Sequence, residues 1–135
     1  MAALSMPLIS LDWNSNEPVY AQIASQIRAR IASGELRAGM VLPSVRSVAF
    51  DLGINLNTVA RAYRILEEER FVSIRDRAGV VVAPPARSID GSVIEGLNEE
   101  LGVVLARMRQ AGLSVAELRR RFEGALAALD TRGEK

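Results

Sequence analysis

The chain has 135 residues, 49% of them hydrophobic, and a formal net charge of +1. That length suits one ordinary domain, or a small domain with an appendage, and the apolar content is enough for a packed core and too high for a disordered chain. With no Cys and no His, disulfides, Cys/His metal sites and His-based catalysis are excluded. Lys135 is the only lysine among the 17 basic residues. Arginine favours bidentate contacts to phosphate and guanine, although a biased genomic base composition would enrich it equally. The N-terminus lacks a basic region followed by a long apolar run, which argues against a signal peptide. No run approaches the ~18 apolar residues of a membrane span. The expectation is a cytoplasmic protein with no membrane partner.

Residues 1–17 form an N-terminal extension. Leu4, Ile9, Leu11 and Trp13 are apolar enough to pack on a neighbour, and Trp13 belongs in a core or an interface. Pro18 is a favoured first helical residue. From there Tyr20, Ile23, Ala24, Ile27 and Ile31 step by three and four, the stripe of an amphipathic helix, with Gln22, Gln26, Arg28 and Arg30 outside. Gly34 stops that helix. Residues 35–43 are a connector with at most a short strand.

The stretch Leu42 to Glu69 organises the rest. Ser44 can cap a first helix, on which Val45, Val48, Ala49 and Leu52 recur at helical spacing. Gly53 follows the last apolar position, where positive φ ends a helix at little cost. Asn57 is a good cap for a second helix, whose buried stripe is Val59, Ala62, Tyr63 and Leu66. Thr58, Arg61 and Arg64 lie on its other faces. Two short helices with a Gly in the turn match a helix-turn-helix, whose second helix enters the DNA major groove.

Residues 71–75 and 80–83 have strand character around the turn Asp76-Arg77-Ala78-Gly79. A hairpin directly after a recognition helix is the wing of a winged helix, and Arg75 and Arg77 stand where a wing would touch phosphates. Pro84-Pro85 ends the domain, and residues 84–91 are a linker. In residues 92–130, Val93, Ile94, Leu97, Leu101, Val104, Leu105 and Met108 mark a long amphipathic helix. Gly112 closes it. Ser114 and Glu117 have capping-box spacing. Val115, Leu118, Phe122, Ala125, Leu126 and Leu129 form the stripe of a final helix, and residues 131–135 are a frayed tail. The fold expected is mainly α with a small β-hairpin: a winged helix-turn-helix over 18–83, then a two-helix dimerisation hairpin.

From Pro18 to Ala83 the sequence resembles the DNA-binding domain of the GntR family of bacterial transcription regulators. The phrases that carry the likeness are PVYAQIASQI, SGELRAGMVLPSVRSVA and LGINLNTVARAYRILEEE, in the family's order and spacing. The short remainder and the INLNTVARAY phrase are similar to the YtrA subfamily, whose C-terminal helices serve dimerisation. The resemblance implies a homodimeric repressor that binds an inverted repeat in double-stranded DNA upstream of its own operon, with no cofactor and no enzymatic activity. It implies that Ser44 and Arg46 touch backbone or base edges, and that Asn55, Asn57, Thr58 and Arg61 face the groove. Arg64 either meets a phosphate or pairs with Glu67 or Glu68. Glu67-Glu68-Glu69 is a solvated end away from DNA. The dimer would bury Leu97, Leu101, Val104, Leu105, Met108, Val115, Leu118, Phe122 and Leu126. Three positions depart from the family's habit. Leu56 stands where Pro or a basic residue is common, Arg70 stands in place of a Gly, and of the wing's usual glycines only Gly79 remains.

Two other classes compete. A protein-interaction module on a winged-helix scaffold would need no specific DNA, yet Arg46, Asn57, Thr58 and Arg61 converge on the face a groove-binding helix requires. An enzyme would need a nucleophile–base pair that a chain without His or Cys does not assemble. Arg119-Arg120-Arg121 is the exposed side of the last helix, since Leu118 and Phe122 flank it on the buried stripe. Two helices give no argument for an effector pocket, a small ligand at the dimer interface stays open, and the effector is unassigned.

Overall fold

The computed structural model describes residues 9–75 and 79–130. The chain divides into two compact units between Pro85 and Ala86. The first contains α1 (Val19–Ala32), β1 (Val41–Leu42), α2 (Val45–Leu52), α3 (Leu56–Glu68), β2 (Val72–Arg75) and β3 (Gly79–Val82). The second contains α4 (Gly91–Gln110) and α5 (Val115–Asp130).

In the first unit the apolar stripes meet in one core. Ile23, Ala24, Ile27 and Ile31 of α1 pack with Val59, Ala62, Tyr63 and Leu66 of α3, and Val48 and Ala49 of α2 close the cluster. Leu36, Leu42, Val72, Val80 and Val82 cover its other side. The strands form an antiparallel sheet of order β1-β3-β2. Val72 pairs with Val82 and Ile74 with Val80 in the hairpin, while Val41 and Leu42 pair with Val81 and Val80. The alternation along β3 puts Val80 and Val82 inside, as a period-two strand on a core requires. The wing is therefore a hairpin extended by a third, two-residue strand, which ties the connector before α2 into the sheet.

Three local readings need correction. The cap of α3 is Asn55, not Asn57: the Asn55 Oδ1 accepts from the Asn57 N–H at 2.7 Å. The backbone leaves the left-handed Gly53 (φ 67°) and is extended at Asn55, so the cap lies two residues before the expected one and the helix starts at Leu56. Gln22 is buried rather than outside. Its amide accepts from the Asp12 N–H and donates to the carbonyls of Asp12 and Glu17. Gln26 bonds both backbone groups of Ser10 in the same manner. These two side chains lash residues 10–17 along α1, and Ile9 enters the core. Trp13, expected in a core or an interface, lies outside the core of the protomer, where it is 67% exposed.

Arg70 adopts φ 70° and ends α3. The Phe71 N–H bonds the Leu66 carbonyl and the Arg70 N–H the Glu67 carbonyl, a Schellman closure that needs a left-handed residue between helix and strand. A Gly would meet that need without a Cβ clash; here Arg70 bears the strain.

In the second unit, Asp90 caps α4 through its Oδ1. Ser114 and Glu117 form the expected reciprocal capping box at the start of α5. Hydrogen bonds from the Ser114 N–H and the Ser114 hydroxyl hold the Glu117 carboxyl below its ordinary value. Neither helix buries a residue fully. Leu105, Met108 and Leu118 are half-buried where the helices pack together.

Candidate nucleic-acid interface

The interface is built on α3. Its buried stripe fixes the rotation of the helix about its axis, so the opposite face is set by the core. One hydrogen bond sets its height relative to α2. The Tyr63 hydroxyl, wholly buried, donates to the Pro43 carbonyl at 2.7 Å, one residue before the cap of α2. Burial holds that phenol far above its ordinary pKa, so it stays a donor.

On the outer face, Asn57, Arg61 and Arg64 are exposed, with Thr58 half-buried beside them. Their spacings of three and four residues put them along one side of α3. Asn55, Asn57, Thr58, Arg61 and Arg64 line one open cleft, and Tyr20 from α1 completes it. The Arg61 guanidinium carbon lies 3.8 Å from the centroid of the Tyr20 ring. Because Asn55 spends its carbonyl oxygen on the cap, the Asn57 side chain is left free to project from the first turn. A free amide and a guanidinium on one helix face are the groups that read adenine and guanine edges bidentately.

On α2, Ser44 accepts from the Ser47 N–H with its hydroxyl oxygen, which leaves its own proton to donate, and Arg46 is exposed in the first turn. Arg75 stands exposed on β2 opposite Gly79, which takes φ 80° at the start of β3. Arg77 lies outside the described residues.

The remaining charges are placed to leave these arginines unneutralised. Among the described residues the ion pairs are Arg28–Glu69, at 2.9 Å, and Arg30–Glu35. Arg64 does not pair with Glu67 or Glu68. Glu67, expected to be merely solvated, accepts from the Ile74 N–H at 2.9 Å and so joins the end of α3 to the wing. Glu69 is engaged by Arg28 through two guanidinium nitrogens.

Of the expected site residues, the structure brings Asn55, Asn57, Thr58, Arg61 and Arg64 into one cleft. Ser44 and Arg46 sit on α2, and Arg75 and Gly79 on the wing. Sequence reasoning missed Tyr20, which it assigned to the apolar stripe of α1. Its place at the open end of that stripe, on an amphipathic ring, is the only sequence signal that could have raised it. The apolar residues of the second unit are also set out: Leu97, Leu101, Val104, Val115, Phe122, Leu126 and Leu129 are exposed on the hairpin. Leu101, Leu105, Val115, Leu118 and Phe122 line an apolar groove, with Arg119 at its edge.

Residues 19–82 match the family described as bacterial regulatory proteins, gntR family. The HTH-type transcriptional regulator YhcF of Bacillus subtilis is 34% identical over 106 residues, spanning 78% of this chain and 88% of the relative. The HTH-type transcriptional repressor YtrA of the same organism is 30% identical over 115 residues, 82% of this chain and 86% of YtrA. Among solved structures, YtrA from Sulfolobus acidocaldarius, a GntR-family transcription factor, superposes with a TM-score of 0.62 at 33% identity, covering 90% of this chain and 99% of that one. This chain belongs to the GntR family of transcription regulators, in its YtrA-like branch, with a DNA-binding winged helix followed by a short helical unit.

Proposed function

We propose that the protein is a homodimeric repressor that binds an inverted-repeat operator upstream of its own operon, acting in the cytoplasm where the chromosome is accessible. The observation that carries this reading is the single face of α3 on which Asn57, Thr58, Arg61 and Arg64 stand together without an ion pair. Arg46 and Ser44 at the start of α2, and Arg75 and Gly79 on the wing, flank that face as backbone contacts, and the open first turn of α3 favours a phosphate. Leu97, Leu101, Val104, Leu105, Met108, Val115, Leu118, Phe122 and Leu126 form the dimer surface. An apolar patch of this extent is rarely left in water, and a two-fold pair is the commonest way to cover it. Two recognition helices about one helical turn apart then call for half-sites ~10 bp apart, or a multiple. Repression is the role named for YtrA of Bacillus subtilis.

The test is selection of duplexes from a randomised library by the full-length chain, followed by gel-shift and light scattering. The expected outcome is an enriched inverted repeat. Asn57→Ala and Arg46→Ala should each weaken its binding by roughly 1–3 kcal/mol. Leu101→Arg should give a folded monomer with lower operator affinity. A wild-type monomer, or variants that bind the repeat like wild type, would refute the reading. Sequence-independent binding would favour the protein-interaction module.

A further inference from the structure

The stack between Tyr20 and Arg61 is the feature of the interface that neither the core nor the established family membership explains. A core role would turn the ring inward. Instead Tyr20 is half-buried: part of it packs on the core, and its outer surface meets the Arg61 guanidinium at 3.8 Å. The start of α1 makes this geometry stiff. Pro18 accepts from the N–H groups of Ala21 and Gln22, and Gln22 is itself lashed to Asp12 and Glu17, so the first turn of α1 has little freedom. A guanidinium stacked on a ring engages through its face. Its N–H donors lie in its plane and are left unspent. Arg61 has no ion pair among the described residues, and its neighbours in the cleft, Asn57, Thr58 and Arg64, carry no negative charge.

We propose that Tyr20 is a positioning residue for base readout: its ring holds Arg61 flat so that the guanidinium edge meets a guanine in each half-site. This rests on the DNA-binding reading above. The ring removes most of the rotamer freedom that a long, exposed arginine would otherwise lose on docking, and it fixes which base pair the fork reaches. Tyr20 then tunes specificity without touching DNA.

The experiment uses the full-length chain and the duplex that the wild type enriches from a random library. Tyr20→Leu should bind that duplex about three- to tenfold more weakly, the span expected when one long side chain must be ordered on docking. It should relax base preference at the same position as Arg61→Ala. Tyr20→Phe keeps the ring and should stay within about twofold of wild type, given that the stack uses the π face. In an Arg61→Ala background, Tyr20→Leu should cost nothing further in DNA affinity. This last comparison cancels any effect of the substitution on folding. If Tyr20→Leu does not fold, Arg61→Lys serves in its place: it keeps the charge, loses the flat fork, and should relax the same base pair.

Equal losses from Tyr20→Leu with and without Arg61 would overturn the proposal, because the ring would then act on the fold alone. So would a loss spread evenly over all sequences, or base preference left intact by Arg61→Lys and Arg61→Ala. Failure of the wild-type chain to enrich any duplex would instead defeat the DNA-binding reading itself, and this proposal with it.

Discussion

Removing one oxygen, by Tyr63→Phe, tests how α2 and α3, the two helices of the proposed DNA interface, are held. The Tyr63 ring is wholly buried and its hydroxyl donates to the Pro43 carbonyl at 2.7 Å. At neutral pH the substitution deletes that bond and takes a donor from the carbonyl of buried Pro43, at a cost of about 1–3 kcal/mol. The same site predicts an alkaline limb. Burial holds the Tyr63 pKa far above the ordinary tyrosine value of about 10. Below that pH, folded and unfolded chains both keep the proton, and the stabilisation is fully present. Above it the unfolded chain releases the proton and the folded chain does not, so stability falls by about 1.4 kcal/mol per pH unit until the folded value is reached. An advantage of ~2 kcal/mol over Tyr63→Phe therefore vanishes about one and a half units above the unfolded pKa. The chain suits the measurement: it has two Tyr, no Cys, no His and a single Lys, and the comparison with Tyr63→Phe cancels what the other groups contribute. Urea unfolding by far-ultraviolet circular dichroism at intervals from neutral to strongly alkaline pH gives the difference directly. A wild-type advantage that stays level on passing pH ~10 would refute the argument, as would none at neutral pH.

Further outcomes follow from other sites. Arg70→Gly should stabilise the winged-helix unit by about 1 kcal/mol, read as a higher melting temperature, because it relieves a left-handed backbone at the cost of some unfolded-state entropy. Gln22→Leu should destabilise by about 1–3 kcal/mol, with the Asp12 amide exchanging faster in deuterium, since the variant fits the core but cannot hold the Asp12 and Glu17 backbone groups. Gly102→Ala should raise the helicity and stability of α4 by up to ~1 kcal/mol by circular dichroism, because a Cβ there meets nothing within 4 Å in the protomer. Arg75→Ala should weaken binding to all duplexes about equally and lower the slope of affinity against salt by about one counterion.

Much of the fold was legible because its stripes are local. Ile23, Ala24, Ile27 and Ile31 of α1 and Val59, Ala62, Tyr63 and Leu66 of α3 recur at three and four and are buried. Gly53 ends α2 in the left-handed region, as its place after Leu52 suggests. What was not legible depends on partners distant along the chain. The amide of Gln22 looks like an exposed polar residue until the segment ten residues upstream folds onto it. The two residues of β1 become a strand only through pairing with β3, almost forty residues later. The choice of Asn55 over Asn57 as the cap turns on backbone dihedrals between two residues of equal capping propensity. Within the candidate site, composition and spacing single out the polar residues on α3, whereas Tyr20 enters only because α1 crosses α3 at that height.

The charge of the chain shows why composition gave so little warning of DNA. A net charge of +1 is nearly neutral, yet a phosphate meets local fields screened within ~8 Å, not a sum over the chain. Arg28 and Arg30 on α1 are paired with Glu69 and Glu35. The run Glu67-Glu68-Glu69 ends α3, a helix of 13 residues, so it lies roughly 15–18 Å along the axis from Asn57 in the first turn. That separation is about two screening lengths. The orientation of α3 adds to it, because its unpaired N–H groups give the Asn57 end a partial positive charge. Arg46, Arg61, Arg64 and Arg75 are left without acidic partners among the described residues. Acidic residues therefore cancel arginine on one side of the unit and spare it on the other. A near-zero total is what such an arrangement produces, and under the DNA-binding mode proposed above it keeps non-specific attraction low while the spared arginines contribute at the α3 face.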